Sequence, residues 1–144
     1  MSHPLAVATS LGIAMLISAC EPASAQTRVA YGTVDERDAR LVVERVAGPR
    51  QIEYRLNLIP KGGLRVNGAL GIKVAAVSAA GWRFTPPLPR TFYAGSEFFD
   101  GAPEIVITAT PTRGVQEAMI LLMYALCREE ACFSRDISLA ITQR

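Results

Sequence analysis

The sequence contains few of the residues that mark metal centres and nucleic-acid-binding surfaces. Its 144 residues include one histidine, His3, which excludes most metal sites and most histidine-based catalytic schemes. Fifteen Lys and Arg residues against 13 Asp and Glu residues give a formal net charge of +2. The basic residues are scattered along the chain, so there is no basic patch for a phosphate backbone and nucleic acid is not an expected partner.

The chain also lacks a hydrophobic segment long enough to cross a membrane. The longest largely apolar run, Leu5–Ala19, has 15 residues, and the best later candidate, Ala118–Leu126, has nine. A transmembrane helix needs about 20 residues. Half of all residues are apolar and 19% are charged, so the remainder of the chain can bury a core, and we expect one folded domain.

Residues 1–25 have the composition of a targeting segment, because they contain no Lys or Arg and one acidic residue, Glu21. Their apolar run suits the central region of a secretory signal peptide. Two cleavage sites compete. Ala23-Ser24-Ala25 fits the general signal peptidase, whereas Ile17-Ser18-Ala19-Cys20 resembles a bacterial lipobox, in which Cys20 is lipidated. Both interpretations predict an exported, periplasmic domain over 26–144, either soluble or lipid-anchored.

Export makes the remaining cysteines informative, since disulfides persist in oxidising compartments. With Cys20 acylated or removed, the domain has one pair, Cys127 and Cys132, separated by four residues. One interpretation is a structural disulfide that staples a hairpin. Closing so small a ring contributes only about 2 kcal/mol, against about 4.7 kcal/mol for a 100-residue loop. The alternative is an exchangeable disulfide, because a short ring in a loop is accessible to an attacking thiolate.

Short apolar segments broken by Gly and Pro dominate the rest of the chain and predict strands. Gln51–Leu58 alternates most clearly, and the same reasoning predicts strands at Leu41–Val46, Leu70–Val77, Glu104–Thr110, Glu117–Leu126 and Asp136–Thr142. Val115–Ala131 also has good helix propensity, so an amphipathic helix is the alternative there. Trp82 is expected in the core and Arg83–Arg90 in a solvated loop. Turns every ten or so residues favour an antiparallel β-sandwich over an α/β fold.

Three segments carry a family resemblance. They are Gly63-Leu64-Arg65-Val66-Asn67, then Phe92-Tyr93-Ala94-Gly95-Ser96-Glu97-Phe98-Phe99-Asp100, and finally Tyr124-Ala125-Leu126-Cys127 followed by Cys132-Phe133. In order and spacing they resemble the N-terminal periplasmic domain family of the thiol:disulfide interchange protein DsbD. This resemblance implies an all-β, immunoglobulin-like antiparallel β-sandwich and covers a little over half of the chain.

The resemblance also implies a redox site. Cys132 matches the cysteine that forms a mixed disulfide with partners, and Cys127 matches the one that resolves it. Phe92 and Tyr93 match the segment that caps the pair, while the alternative for these aromatics is that they plug one end of the core. The resemblance also implies that Arg65, Asn67 and Tyr124 lie near the two cysteines.

The implied partners are thioredoxin-like periplasmic proteins and a separate membrane electron carrier, with no organic cofactor and no metal. The sequence departs from some family members at Arg65 and Asn67, where they keep tyrosines, and at Arg90 and Thr91, where they have acidic residues. Two alternatives from other classes stay open. One is a non-catalytic immunoglobulin-like binding module with a structural disulfide, and the other is a lipid-tethered assembly subunit of an envelope complex.

Overall fold

The computed structural model describes residues 29–114 and 117–143 and, among these, the side chains from residue 31 onward. The predicted targeting segment 1–25, both cleavage sites, Cys20 and His3 lie outside the described residues. Within them the chain forms ten strands and no helix, so none that could cross a membrane. The strands are β1 (Val29–Asp35), β2 (Ala39–Ala47), β3 (Ile52–Pro60), β4 (Arg65–Val66), β5 (Ile72–Val77), β6 (Trp82–Thr85), β7 (Arg90–Phe92), β8 (Glu104–Pro111), β9 (Glu117–Arg128) and β10 (Ala131–Thr142).

The strands form two antiparallel sheets that pack as a β-sandwich, which confirms the predicted all-β antiparallel sandwich. The first sheet has the order β1-β2-β3-β8-β6. The second has the order β10-β9-β5-β7, and β4 also pairs with β9. The second sheet carries both cysteines, on its two longest strands.

A two-residue period of burial divides each strand into a core face and an outer face. Ile52, Tyr54, Leu56 and Leu58 of β3 are buried, as the alternation in Gln51–Leu58 predicts. In β9 the buried core set is Ala118, Ile120, Leu122, Tyr124 and Leu126. From Ala118 to Tyr124 every second side chain is buried, which explains why Glu117–Arg128 is a strand and not the alternative amphipathic helix, whose apolar residues would recur every three or four positions.

Two predictions about residues 70–90 are wrong. The predicted loop Arg83–Arg90 contains the end of β6, where Phe84 is buried and stacks on Trp82 with ring centroids 6.3 Å apart, and Arg90 starts β7. The predicted strand at Leu70 starts instead at Ile72. Gly71 before it has a φ of 76° and lies so close to β7 that a Cβ would stand 2.7 Å from the Phe92 carbonyl oxygen. Only glycine suits this bend. Trp82 belongs to the core, as predicted.

Two tyrosine side chains of the first sheet form hydrogen bonds with the last residues of β10. Tyr31 Oη donates to the Ala140 carbonyl oxygen at 3.1 Å and accepts from the Thr142 amide at 2.9 Å. Tyr54 Oη donates to the Thr142 carbonyl oxygen at 3.1 Å. These bonds fix the end of the hairpin that is opposite the cysteines.

Substitutions at two adjacent residues of β8 test which face of this strand is buried in the core. Ile107 is fully buried, whereas the neighbouring Val106 is 37% exposed on the outer face. We expect Ile107→Ala to lower the free energy of unfolding by about 2–5 kcal/mol because it opens a cavity in the core. Val106→Ala should cost less than about 1 kcal/mol. Chemical denaturation of both variants measures the difference, and equal losses would contradict the assigned faces.

Candidate functional site

The two cysteines form a disulfide between directly paired residues of β9 and β10. Cys127 and Cys132 are opposite each other in the antiparallel register, with their Cα atoms 4.0 Å apart. The sequence predicts that the strands end at Leu126 and resume at Asp136, and this is wrong. Arg128 and Ala131 still pair, so a turn of two residues, Glu129 and Glu130, connects the strands. The antiparallel pairing of β9 and β10 therefore continues past the two cysteines to the turn of the hairpin.

The disulfide lies on the outer face of its sheet, and its two cysteines differ in exposure. Leu126 points into the core, so the side chain of the next residue, Cys127, is on the opposite face. Cys127 is nevertheless only 1% exposed. Its partner Cys132 is exposed. An external thiol can therefore approach the sulfur of Cys132 more directly than that of Cys127.

Strand β4 places Arg65 and Asn67 next to the disulfide. Arg65 is paired with Cys127 in the register, on the side opposite Cys132. The Asn67 backbone amide donates to the Ala125 carbonyl oxygen at 2.9 Å, which extends this pairing by one residue. The Asn67 side-chain nitrogen, Nδ2, lies 3.6 Å from Cys127 Sγ and 3.9 Å from Cys132 Sγ. Arg65 and Asn67 therefore both lie next to the disulfide.

Residues 94–99, which we call the flanking segment, run along the other side of β4. The Gly68 amide donates to the Glu97 carbonyl oxygen at 2.7 Å, and the Phe99 amide donates to that of Val66 at 3.0 Å. Gly68 permits this close approach, since a Cβ there would be 2.4 Å from that of Ala94. The contacts fix β4 between the flanking segment and β9, so Asn67 cannot move away from the sulfurs without breaking them.

Arginine side chains bring positive charge to this part of the surface. The Arg65 guanidinium lies 3.9 Å from the centroid of the Phe98 ring, an arrangement typical of a cation–π interaction. Arg128 Nη2 donates to the Gly62 carbonyl oxygen at 2.6 Å. Glu129 and Glu130 in the turn add two negative charges, so both signs of charge lie near the disulfide.

Tyr124 lies three residues before Cys127, but its side chain belongs to the core face of β9. It is 5% exposed, and burial raises the pKa of Tyr124 to about 12. The neutral hydroxyl is therefore the form present at physiological pH. The structure places this residue beneath the site, on the face away from the sulfurs.

The predicted cap residues Phe92 and Tyr93 lie on different faces. Phe92 pairs with Ile72, whose side chain is fully buried, and the Phe92 ring packs against the core while partly exposed. This placement favours the alternative in which the Phe92 ring plugs the core over a role as a cap on the cysteines. Tyr93, the next residue, is 67% exposed on the outer side.

A groove on the outer face of the second sheet leads towards the disulfide. It has a volume of about 550 Å³. Its floor includes Met123 and Ala125 of β9, and its walls include Leu70 and Tyr93 on one side and Ser134 on β10 on the other. Ala125 and Ser134 are each two residues from a cysteine on the same face, a distance of about 7 Å along a strand. Sequence reasoning missed this groove because it depends on how three strands pair.

The described residues contain no group of three or more His, Cys, Asp or Glu side chains that could hold a metal ion.

No protein-family model matches the sequence, and no curated protein is similar to it. Among solved structures, the chain is similar to the crystal structure of the yeast GGA1 GAE domain, with a TM-score of 0.49 and 7% sequence identity. The match covers 81% of this chain and 99% of that chain.

The difference in exposure predicts unequal alkylation of the two cysteines after reduction. We expect a bulky maleimide to modify Cys132 at least about tenfold faster than Cys127 in the folded protein, because a buried thiol reacts only when the structure opens locally. Trypsin cleaves after Arg128, so the two cysteines lie on separate peptides that mass spectrometry can follow. The control is the same protein in denaturant, where the rates should converge. Equal rates in the folded protein would contradict the assigned burial.

Proposed function

We propose that this domain is an exported thiol:disulfide interchange domain that passes electrons between periplasmic redox proteins through Cys127 and Cys132. The observation that supports this most is the unequal exposure of the pair, with one sulfur open to a partner and the other buried beside a side-chain amide. A disulfide that only stapled a hairpin would need neither feature. The resemblance to the N-terminal domain family of DsbD supports the same function.

In this proposal Cys132 is the sulfur that partners attack. A thiolate of a reduced partner attacks Cys132 Sγ, the bond to Cys127 breaks, and its electron pair leaves on Cys127 Sγ. The partner's second thiolate then attacks the partner's own sulfur in the mixed disulfide and releases Cys132. The partner ends as a disulfide and the domain as a dithiol, with two electrons transferred. Solvent takes two protons from the partner and returns two to the domain.

The reverse sequence passes the electrons on to an oxidised protein. The domain therefore acts as an intermediate that meets at least two partners, one a donor and one an acceptor. We propose thioredoxin-like periplasmic proteins as partners and a separate membrane electron carrier as the source of electrons. The predicted signal in residues 1–25 would deliver the domain to this compartment, either free or anchored through Cys20.

The groove beside the disulfide gives the partner a surface to bind. Leu70 and Tyr93, which line it, are two of the four large apolar side chains exposed among the described residues. Exposed apolar groups bordered by polar ones are typical of protein-binding surfaces. Ser134, which lines the groove, is two residues from Cys132 on β10, about 7 Å along the strand, so a protein whose cysteine reaches Cys132 is close enough to cover the groove as well. We therefore assign the groove to the apolar surface around the reactive cysteine of a thioredoxin-like protein.

Single-cysteine variants test the assigned roles. We expect Cys127→Ser to accumulate a mixed disulfide with a thioredoxin-like protein, because Cys132 stays exposed and the resolving thiol is missing. Cys132→Ser should trap none. Non-reducing electrophoresis followed by mass spectrometry of the linked peptides measures both. The opposite pattern would reverse the two roles, and failure of both variants to trap any partner would favour the binding module with a structural disulfide.

A substitution in the groove separates protein recognition from intrinsic reactivity. We expect Tyr93→Ser to slow reduction of the domain by reduced thioredoxin about tenfold, the loss of one interface anchor of about 1.4 kcal/mol. Reduction by dithiothreitol should be unchanged, because a small thiol does not use the groove. Val106→Ser, at an exposed apolar position on the other sheet, is the control. Equal slowing with both reductants would contradict a docking role for the groove.

A further inference from the structure

We propose that Asn67 stabilises the thiolate of Cys127 that forms when a partner attacks Cys132. This inference rests on the proposed exchange function and adds a residue to it. The bond that breaks leaves its electron pair on Cys127 Sγ, so the negative charge develops on the sulfur of a residue that is 1% exposed. Water has little access to that atom, and an unpaired buried charge is costly. The protein must therefore supply the stabilising dipole or charge.

The Asn67 side chain has the orientation that this role requires. Its carbonyl oxygen, Oδ1, accepts a hydrogen bond from the Leu70 backbone amide at 2.8 Å. Because a backbone amide can only donate, this bond fixes which end of the side chain is the oxygen. The NH₂ group must then face the sulfurs, with Nδ2 at 3.6 Å from Cys127 Sγ and 3.9 Å from Cys132 Sγ.

The hydrogen bond from Asn67 to Cys127 Sγ becomes stronger when the disulfide bond breaks. A disulfide sulfur is neutral and a weak acceptor, whereas a thiolate is an anion and forms a charge-assisted hydrogen bond. A donor held in place before the reaction lowers the barrier by this difference, as oxyanion-hole donors do for a developing alkoxide. Asn67 is already held at both its backbone and its side chain, so little reorganisation is needed.

Arg65 contributes in the same direction. It is paired with Cys127 on the same face of the sheet, and its guanidinium is held against the Phe98 ring. A nearby positive charge favours the thiolate form of a cysteine. Arg65 on β4 and Asn67 directly after this strand are two residues apart, so both side chains belong to the face of the sheet that carries the disulfide. Both are positions at which the chain departs from the tyrosines of some family members.

The substitution Asn67→Asp tests the contribution of the side-chain NH₂ group alone. The substitution keeps the size of the side chain and an oxygen for the Leu70 amide, but replaces the NH₂ group with an anionic oxygen. In the Cys132→Ser background, we expect it to raise the pKa of the Cys127 thiol by at least about one unit, because a donor to the thiolate becomes a repelling charge. The pH dependence of alkylation by iodoacetamide, followed on the tryptic peptide that ends at Arg128, gives this pKa.

The kinetic test uses the domain with both cysteines. We expect Asn67→Asp and Asn67→Ala to slow single-turnover reduction by dithiothreitol by about tenfold or more, the usual effect of losing a hydrogen bond to a charged group. Ser134→Asp is the matched control. It adds an acid on the same face of β10, two residues from Cys132, and leaves the donor in place, so it should change both readouts less than Asn67→Asp does.

Two results would overturn the role of Asn67. One is an unchanged Cys127 pKa and reduction rate in folded Asn67→Asp and Asn67→Ala, and the other is an equal effect of Ser134→Asp. Failure of the exchange function itself looks different. In that case the domain with native Asn67 also forms no mixed disulfide with a partner, whatever the pKa of Cys127. Thermal unfolding of each variant confirms that the comparison is made between folded proteins.

Discussion

The alternation of side chains along β9 is the constraint on which the rest of the site depends. Residues with even numbers from Ala118 to Leu126 fill the core, which fixes the strand in one register. A slip of one residue would expose this entire set. The same alternation sends Cys127 to the outer face, where it meets Cys132 on one neighbouring strand and β4 on the other. Core packing thus determines where the disulfide lies.

Hydrogen bonds on both sides of the β9–β10 hairpin hold the strands that carry the disulfide, while Cys132 stays exposed. The hairpin is tied to the first sheet by Tyr31 and Tyr54, and β4 is held on its other side by residues 94–99. Cys132 remains exposed within this frame, near a groove lined by both apolar and polar side chains. The account we propose assigns recognition to the groove, attack to Cys132 and stabilisation of the leaving sulfur to Asn67.

The sandwich and most of its long strands could be predicted from the sequence, because a strand with one buried face shows its period directly. The hairpin turn could not, since Glu129-Glu130 contains none of the Gly or Asn residues typical of tight turns. Nor could the faces of Phe92 and Tyr93, which depend on β7, a strand of three residues that pairs with β5. The contact of Asn67 with the sulfurs depends similarly on the two-residue strand β4. The hydrogen bonds of the Asn67 side chain follow only from this tertiary pairing.

The reduction potential of the Cys127–Cys132 pair decides between an exchangeable and a structural disulfide. Equilibrating the purified domain with glutathione or dithiothreitol buffers and trapping free thiols gives the value. An exchange function predicts a potential within the range of periplasmic redox partners, so that the pair can both accept and donate electrons. A potential below about −300 mV, typical of structural disulfides, would contradict the account.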